Sequence, residues 1–398
     1  MERTNQILML FICLILALTA CTKKDNLTGD NFSDVKPQTF LYDGFDLGFS
    51  FGDSVKVTGN ERVLLCGHSG NVEAVTILHF NTLPKDFTIP ESYQDTTWVQ
   101  LSIIRKNATR SSTVLQLYSL EQHWLEDAAH ELDLSAMEPI GNTFTIPDSI
   151  GSQGTIVKVP VPVEFLNQLS SAQKDSVSIG VKAADGTWCE IDSRSTGKGP
   201  RLSFKYEKSG SKQIQSFDLL AVKDSYVVSG PQSPIQADKW VVDNLNPSRI
   251  YVHWLDNWSL FKDMEGNTLN EAQRKRVTIN KAELIFHLKE NTYYKDGVPY
   301  SFRPFLVEKD SVEVAMQLKG SDLGGTVLPT TGFVKGDSLM VDITPILQSY
   351  TNGKKVNKGI VIKSEQEMQS FGYLELYHFT SNTKKPKLRV IYTAPFLP

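Results

Sequence analysis

Apolar and polar residues alternate in short runs along most of the chain, with Gly, Pro, Asn, Asp and Ser gathered between the runs. Alternation of period two marks strands with one buried face, and long 3.6-residue periodicity is almost absent. The first half predicts strands over 62–66, 75–80, 98–104, 113–118, 155–161, 176–181, 188–192 and 201–206. The second predicts them over 225–229, 239–242, 249–255, 281–288, 302–307, 338–343, 359–363, 372–379 and 387–392. Only 162–172 and 344–352 suggest a turn or two of helix. In one strand Ile250, Val252 and Trp254 share a face while Tyr251, His253 and Leu255 share the other; in another Leu388, Val390 and Tyr392 oppose Arg389. Each such face needs an apolar partner layer. The expected class is therefore all-β, with antiparallel sheets packed as jelly-roll sandwiches.

The pattern occurs twice. Phe45-Asp46-Leu47 answers to Phe217-Asp218-Leu219, and Thr76-Ile77-Leu78-His79-Phe80 to Ile250-Tyr251-Val252-His253-Trp254. Near the ends, Pro200-Arg201-Leu202-Ser203-Phe204-Lys205-Tyr206 answers to Pro386-Lys387-Leu388-Arg389-Val390-Ile391-Tyr392. Two tandem β-sandwich domains follow, at 40–207 and 217–398. The polar run Lys208-Ser209-Gly210-Ser211-Lys212 predicts a flexible linker at 208–216.

Residues 7–18 break the alternation, being apolar throughout, and they end in Leu18-Thr19-Ala20-Cys21 behind a single Arg3. The run is too short to span a hydrocarbon core of about 30 Å, and small residues precede the cysteine. This pattern predicts a bacterial lipoprotein signal peptide at 1–20, removed on export, with acylation of Cys21 by palmitate-like chains. From 21 to 39 the chain is polar and poor in large apolar groups, a lipidated tether whose root-mean-square span is roughly 25 Å. Thr22 after the cysteine resembles sorting to an outer membrane, and Lys23-Lys24-Asp25 resembles the charged segments of Bacteroidetes-type surface lipoproteins. The expected location is the outer membrane, with the surface face favoured.

A formal net charge of −4 implies no basic face, so nucleic acid is not an expected partner. Of the four cysteines, Cys13 leaves with the signal and Cys21 carries lipid. Cys66 and Cys189 remain; in an oxidising envelope they can pair as a disulfide or stay as small buried hydrophobes, and spacing alone does not decide.

In the second half, Met340-Val341-Asp342-Ile343-Thr344, then Tyr350 and Gly353, then Asn357-Lys358-Gly359 before Ile360-Val361-Ile362-Lys363, precede an aromatic stretch at 371–379 and the Pro386 to Tyr392 ending. This order resembles the DNRLRE-type carbohydrate-binding modules. Val63-Leu64-Leu65-Cys66-Gly67 and Leu78-His79-Phe80-Asn81-Thr82-Leu83-Pro84 are similar to that family's earlier strands. The chain departs from it in lacking the signature word and in carrying insertions at 135–154 and 262–276. The resemblance implies tandem jelly rolls and carbohydrate binding.

Candidate chemistry is sparse. Gly67-His68-Ser69-Gly70 lacks the fifth glycine of a hydrolase elbow and predicts a hairpin turn. His123, His130 and Glu131 fit no zinc spacing, and His79 and His253, matched between halves, point outward from their strands. Asp256, Asp263 and Glu265 leave calcium open without an EF-hand loop, and no other cofactor is expected. Trp258, Tyr293 and Tyr294 lie in turn-rich segments beside polar groups, where rings can stack on sugars. The expectation is a non-catalytic envelope lipoprotein that binds polysaccharide through sandwich loops; the alternative is a structural or adhesive partner of another envelope protein.

Overall fold

The structure is a computed structural model that describes residues 36–52, 59–107, 112–211, 213–231, 238–291, 293–295, 299–308 and 332–396; the signal, Cys21 and most of the tether lie outside them. In chain order the strands begin β1 (Gln38–Tyr42), β2 (Phe45–Gly52), β3 (Val63–Ser69), β4 (Val72–Phe80), β5 (Phe87–Thr88), β6 (Trp98–Lys106), β7 (Thr113–Leu120) and β8 (Glu138–Ile146). They continue through β9 (Thr155–Pro160), helix α1 (Val163–Ser171), β10 (Val177–Ala183), β11 (Trp188–Asp192), β12 (Arg201–Lys208), β13 (Ile214–Leu220), β14 (Lys223–Ser229), β15 (Trp240–Asp243) and β16 (Ser248–Trp254). The remainder comprises the single turn α2 (Glu271–Arg274), β17 (Thr278–Asn291), β18 (Pro299–Leu306), β19 (Gly332–Lys335), β20 (Ser338–Asp342), helix α3 (Thr344–Thr351), β21 (Ile360–Ser364), β22 (Tyr373–Leu376) and β23 (Lys387–Thr393). The fold is all-β, and α1 and α3 fall in the two segments where the pattern suggested helix.

Two antiparallel sheets result. Strands β3 to β14 make the first, with twelve strands; β1, β2 and β15 to β23 make the second, with eleven. The second closes on itself because β22 pairs with both β15 and β17. Strand β17 can serve three neighbours because it is 14 residues long and shifts register between Ile279 and Lys281 and again between Leu288 and Glu290. Such bulges increase local twist and bend a sheet toward closure.

Strand pairing divides the chain differently from 40–207 and 217–398. Residues 208–216 are no loose linker: they close a hairpin in which Glu207 faces Ile214 and Arg201 faces Leu220. Strands β13 and β14 then stay with the first sheet, β14 lying on β4. The corresponding strands of the second sheet come from before the first one, β1 pairing with β23 and β2 with β16. The whole first sheet is thus inserted between the second and third strands of the second sheet. The two units are nevertheless built alike. Tyr206 Oη donates to Gln215 Oε1 at 2.7 Å across β12 and β13, and Tyr392 Oη donates to Gln38 Oε1 at 2.7 Å across β23 and β1. The counterpart of Gln215-Ser216-Phe217 is therefore Gln38-Thr39-Phe40, one strand earlier than the likeness of Phe45-Asp46-Leu47 suggested.

Glycines at 44, 48 and 52 dilute the apolar pattern of β1 and β2, which is why neither reads as a strand. Gly48 is required by packing: a Cβ there would lie 2.5 Å from the indole of Trp240, which is wholly buried in the second core. Phe45 joins that core directly, and Phe40 and Tyr42 pack against it. Phe49 and Phe51, on the other face of β2, cluster with Tyr251, Val307 and Val361. Burial of each such side chain is worth about 1.5–3 kcal/mol, so β1 and β2 are held mainly by apolar contact and only secondarily by their ladders with β23 and β16.

A seam locks the two sheets together. Met368, Phe371 and Leu245, all from the second sheet's loops, belong to the first core, where Phe371 stacks on Trp188 with ring centroids 4.9 Å apart. Tyr226 on β14 donates to the Met368 carbonyl, and Met368 holds a left-handed φ of 55° at that contact. Glu190, 3% exposed, accepts from the Phe371 amide at 3.1 Å and from Tyr293 Oη at 3.4 Å. The Arg105 guanidinium lies 4.2 Å above the Tyr293 ring. Burial pushes the Glu190 carboxyl and the Tyr293 hydroxyl up from their ordinary ranges. Nearby, Arg249 and Glu367 form a buried two-bond pair at 2.8 Å that fixes the loop carrying Met368.

Two predictions follow from this architecture. A fragment spanning 59–231 carries all twelve strands of the first sheet and is expected to fold alone, whereas 217–396 lacks β1 and β2 and is expected to be protease-sensitive without a cooperative melt; the reverse result in circular dichroism would contradict the pairing. The second prediction concerns Asp243, whose carboxyl accepts from the amides of Leu245 at 2.9 Å and Asn246 at 3.2 Å, and which burial raises to about 6. A carboxyl raised on folding contributes stability that is fully present below its unfolded value near 4 and is lost as pH rises through about 6. Denaturant unfolding at pH 5 and 7.5 should show a loss of about 1–1.5 kcal/mol, and Asp243→Asn, which keeps the acceptor oxygen, should shrink it.

Candidate functional site

A cleft of about 630 Å³ lies at one end of the first sheet. Its floor is the adjoining ends of β4, β10, β7 and β8, where Ser178 pairs with both His79 and Leu120 and Ser119 faces Glu138. Its wall is α1. The helix starts at Pro162, whose missing N–H costs nothing at a helix start, and it turns Val163, Leu166 and Ser170 inward. Two of its polar side chains bond the first strands of the unit: Ser170 Oγ donates to Phe87 O at 2.6 Å, and Asn167 exchanges two bonds with Ile89. Glu164, Phe165 and Gln168 are left facing the cleft. Gly141, at φ +68°, lets β8 meet the helix start, since a Cβ there would come 2.9 Å from Pro162. A second hollow of about 470 Å³ shares His79 and Ser176 with the cleft and extends it past Asn81, Lys85 and Asp175.

His79 sits where the two hollows meet. Its Nδ1 lies 2.9 Å from Ser178 Oγ, which also accepts from Trp124 Nε1 at 3.1 Å. Burial, reinforced by Lys223 and His123, lowers the imidazole below its ordinary value, so it is neutral near pH 7. Ser178 Oγ thus bridges the imidazole and the Trp124 indole and orients the ring. Around this neutral centre the lining combines hydroxyls and amides (Ser119, Gln122, Gln168, Ser176) with an apolar strip of Pro139, Ile140, Phe165 and Leu169. Glu121, Glu138 and Glu164 rim it opposite Lys174. Such a surface can bind a ligand with apolar faces and many hydroxyls.

The aromatic residues singled out from the sequence do not gather at this cleft. Trp258 is half-buried beside Leu255 and Tyr42 in the second sheet, its ring covered by Arg274 at 4.2 Å. Tyr293 is in the seam. Tyr294, 4% exposed, packs on Phe302 and accepts from Asn244 Nδ2 at 2.9 Å. Loop position suggested exposure, but Tyr293 is half-buried in the seam and Tyr294 is buried in the second core. His253 bonds Asp46 at 2.6 Å on β2, away from the cleft that its counterpart His79 lines. His123 lines the cleft, and His130 lies 3.8 Å from Glu131. Asp256 accepts from Asn357 and Asp263 from Asn267. Among the described residues no group of three or more His, Cys, Asp or Glu is placed to hold a metal ion. Gly70 and Asn71 form the expected two-residue turn between β3 and β4, with Gly70 at φ +58°. The cleft residues Glu164, Phe165 and Gln168 were missed because their signal is a single amphipathic turn; the matched histidine His79 was the better clue.

Cys66 and Cys189 are direct partners on β3 and β11, wholly buried, with both thiols free. Cys66 Sγ donates to Val181 O at 3.3 Å, and the contact with Cys66 together with burial raises the Cys189 thiol well above its ordinary value. Bonds from His68 N to Thr187 O and from Ser193 N to Arg62 O put this pair in the hydrogen-bonded set of the ladder. Cα atoms there are about 5.5 Å apart, a separation a disulfide can span, with the Cβ atoms at the wide end of what such a bond tolerates.

Comparison with models of known protein families gives no match, and comparison with curated proteins gives none either.

The ladder geometry predicts that refolding in a thiol–disulfide exchange buffer links Cys66 to Cys189. A cross-linked peptide pair in a non-reducing digest would establish it, and two separately alkylated cysteines would rule it out.

Proposed function

We propose that this chain is a non-catalytic lipoprotein of the bacterial outer membrane, anchored through acylated Cys21 and carrying two jelly-roll sandwiches, the first of which captures carbohydrate. The observation that carries this reading is the cleft at His79. A sugar presents apolar C–H faces and a rim of hydroxyls; Phe165, Pro139 and Leu169 suit the former, and Gln122, Gln168 and Ser176 the latter. The resemblance of 340–392 to DNRLRE-type modules supports the same ligand class. In this reading the binding patch is at the first unit's end, whereas Trp258, Tyr293 and Tyr294 belong to the second unit. A binding role is preferred to a catalytic one because Ser178, the hydroxyl nearest His79, is 7% exposed and already engaged by Trp124.

Isothermal titration and a glycan array with the full chain in detergent test the proposal. Phe165→Ala and Gln168→Ala are expected to weaken binding about tenfold each, the size of one lost contact of about 1.4 kcal/mol; Gln168→Ala, at an exposed position, should do so without shifting the melting temperature, whereas Phe165→Ala, at a residue packed on the core, should lower it as well. Trp258→Ala should leave binding unchanged. Absence of any glycan ligand, with crosslinks from the cleft to an envelope protein in intact cells, would favour the adhesive alternative instead.

A further inference from the structure

Because β1 belongs to the second sheet, the chain preceding it reaches the fold there and not at the first sheet. We infer that the second sheet faces the lipid surface, resting on it at the corner that carries Leu255, Val356 and Phe396, while the first sheet and its cleft are held away from the membrane. This inference rests on the proposed acylation of Cys21. Sixteen residues, from Thr22 to Pro37, separate that cysteine from β1. Sixteen residues have a root-mean-square reach of about 20–25 Å. A fold of this size is about 50 Å across, about twice that reach, so turning the far side to the bilayer would require a nearly fully stretched tether and the side that β1 joins is favoured.

The surface itself agrees. Of the eight large apolar side chains exposed among the described residues, five belong to the second sheet and its loops: Leu41, Leu255, Met264, Val356 and Phe396. Val356 is 73% exposed, Phe396 63% and Leu255 55%. Contacts tie the segments that carry Leu255, Val356 and Phe396 to one another. Asn357 Nδ2 donates to Trp254 O at 2.9 Å and to Asp256 Oδ1 at 3.0 Å, which fastens the segment carrying Val356 to the one carrying Leu255. Gly353 abuts Lys275, whose Cε would be 3.1 Å from a Cβ at that position. Arg276 Nη2 donates to Phe396 O at 3.5 Å. Trp258, under Arg274, completes a corner of protruding apolar groups, an indole and basic side chains, the composition that settles at a headgroup–acyl boundary. Glu271 pairs with Lys275 and Glu308 with Lys355, so charge is partly offset and apolar insertion is the main attraction.

The test uses the full-length protein purified from membranes and reconstituted into vesicles of phosphatidylethanolamine alone or with phosphatidylglycerol. Single cysteines placed by Val356→Cys, Phe396→Cys, Ile156→Cys and Gln168→Cys carry an environment-sensitive fluorophore, Cys66 and Cys189 being buried from it. Spin-labelled lipid should quench labels at 356 and 396 severalfold more than labels at 156 and 168, and similarly in both lipid compositions. Equal quenching at all four sites, no quenching at any, or stronger quenching at 156 and 168 would overturn the inference. Mass spectrometry of the same sample separates its failure from that of its premise: an acylated Cys21 with the wrong quenching pattern refutes the orientation alone, and an unmodified Cys21 refutes both.

Discussion

Two strands that precede the whole of the first sheet in the chain complete the second sheet's ladders. Strand β1 satisfies the ladder groups of β23, and β2 those of β16. Without them both strands would present open backbone edges, and Trp240 would lose the Gly48 surface on which it packs. Everything else follows from this constraint: the first unit becomes an insertion, its two chain ends must both lie against the second sheet, and a seam has to form where they cross.

That seam holds a buried carboxylate between the sheets. Glu190 is carried on a strand whose five residues are all buried, and its two oxygens serve the Phe371 amide and the Tyr293 hydroxyl. A carboxylate in such a place is costly unless bonded, and here the bonds run from one unit to the other. They tie the position of the second unit's loop to the register of β11. Phe371 on Trp188 and Tyr226 under Met368 supply the apolar part of the same junction.

The cleft is on the inserted unit and draws no lining residue from the seam. Its shape depends on local features: the Ser170 and Asn167 bonds that fasten α1 to the chain at Phe87 and Ile89, and the glycine at 141 that admits Pro162. Trp124 and Ser178 hold His79 in one orientation, so the polar centre of the cleft is preset, and a ligand need not order it. The carbohydrate reading rests on that surface.

Alternation of apolar residues by itself determined the all-β class, most strands, the positions of α1 and α3, and the doubling of the pattern, because each depends on local periodicity. It also pointed to His79 through the repeat. Which strands pair was decided only in three dimensions. Strands β1 and β2 are interrupted by Gly44 and Gly48 and make sense only against β23, β16 and Trp240, partners hundreds of residues away. For the same reason Tyr293 and Tyr294 read as exposed loop aromatics, since a sequence shows turn residues but not the tertiary packing that covers them. Cys66 and Cys189 could be counted from composition, but ladder register, a long-range property, is what set them face to face.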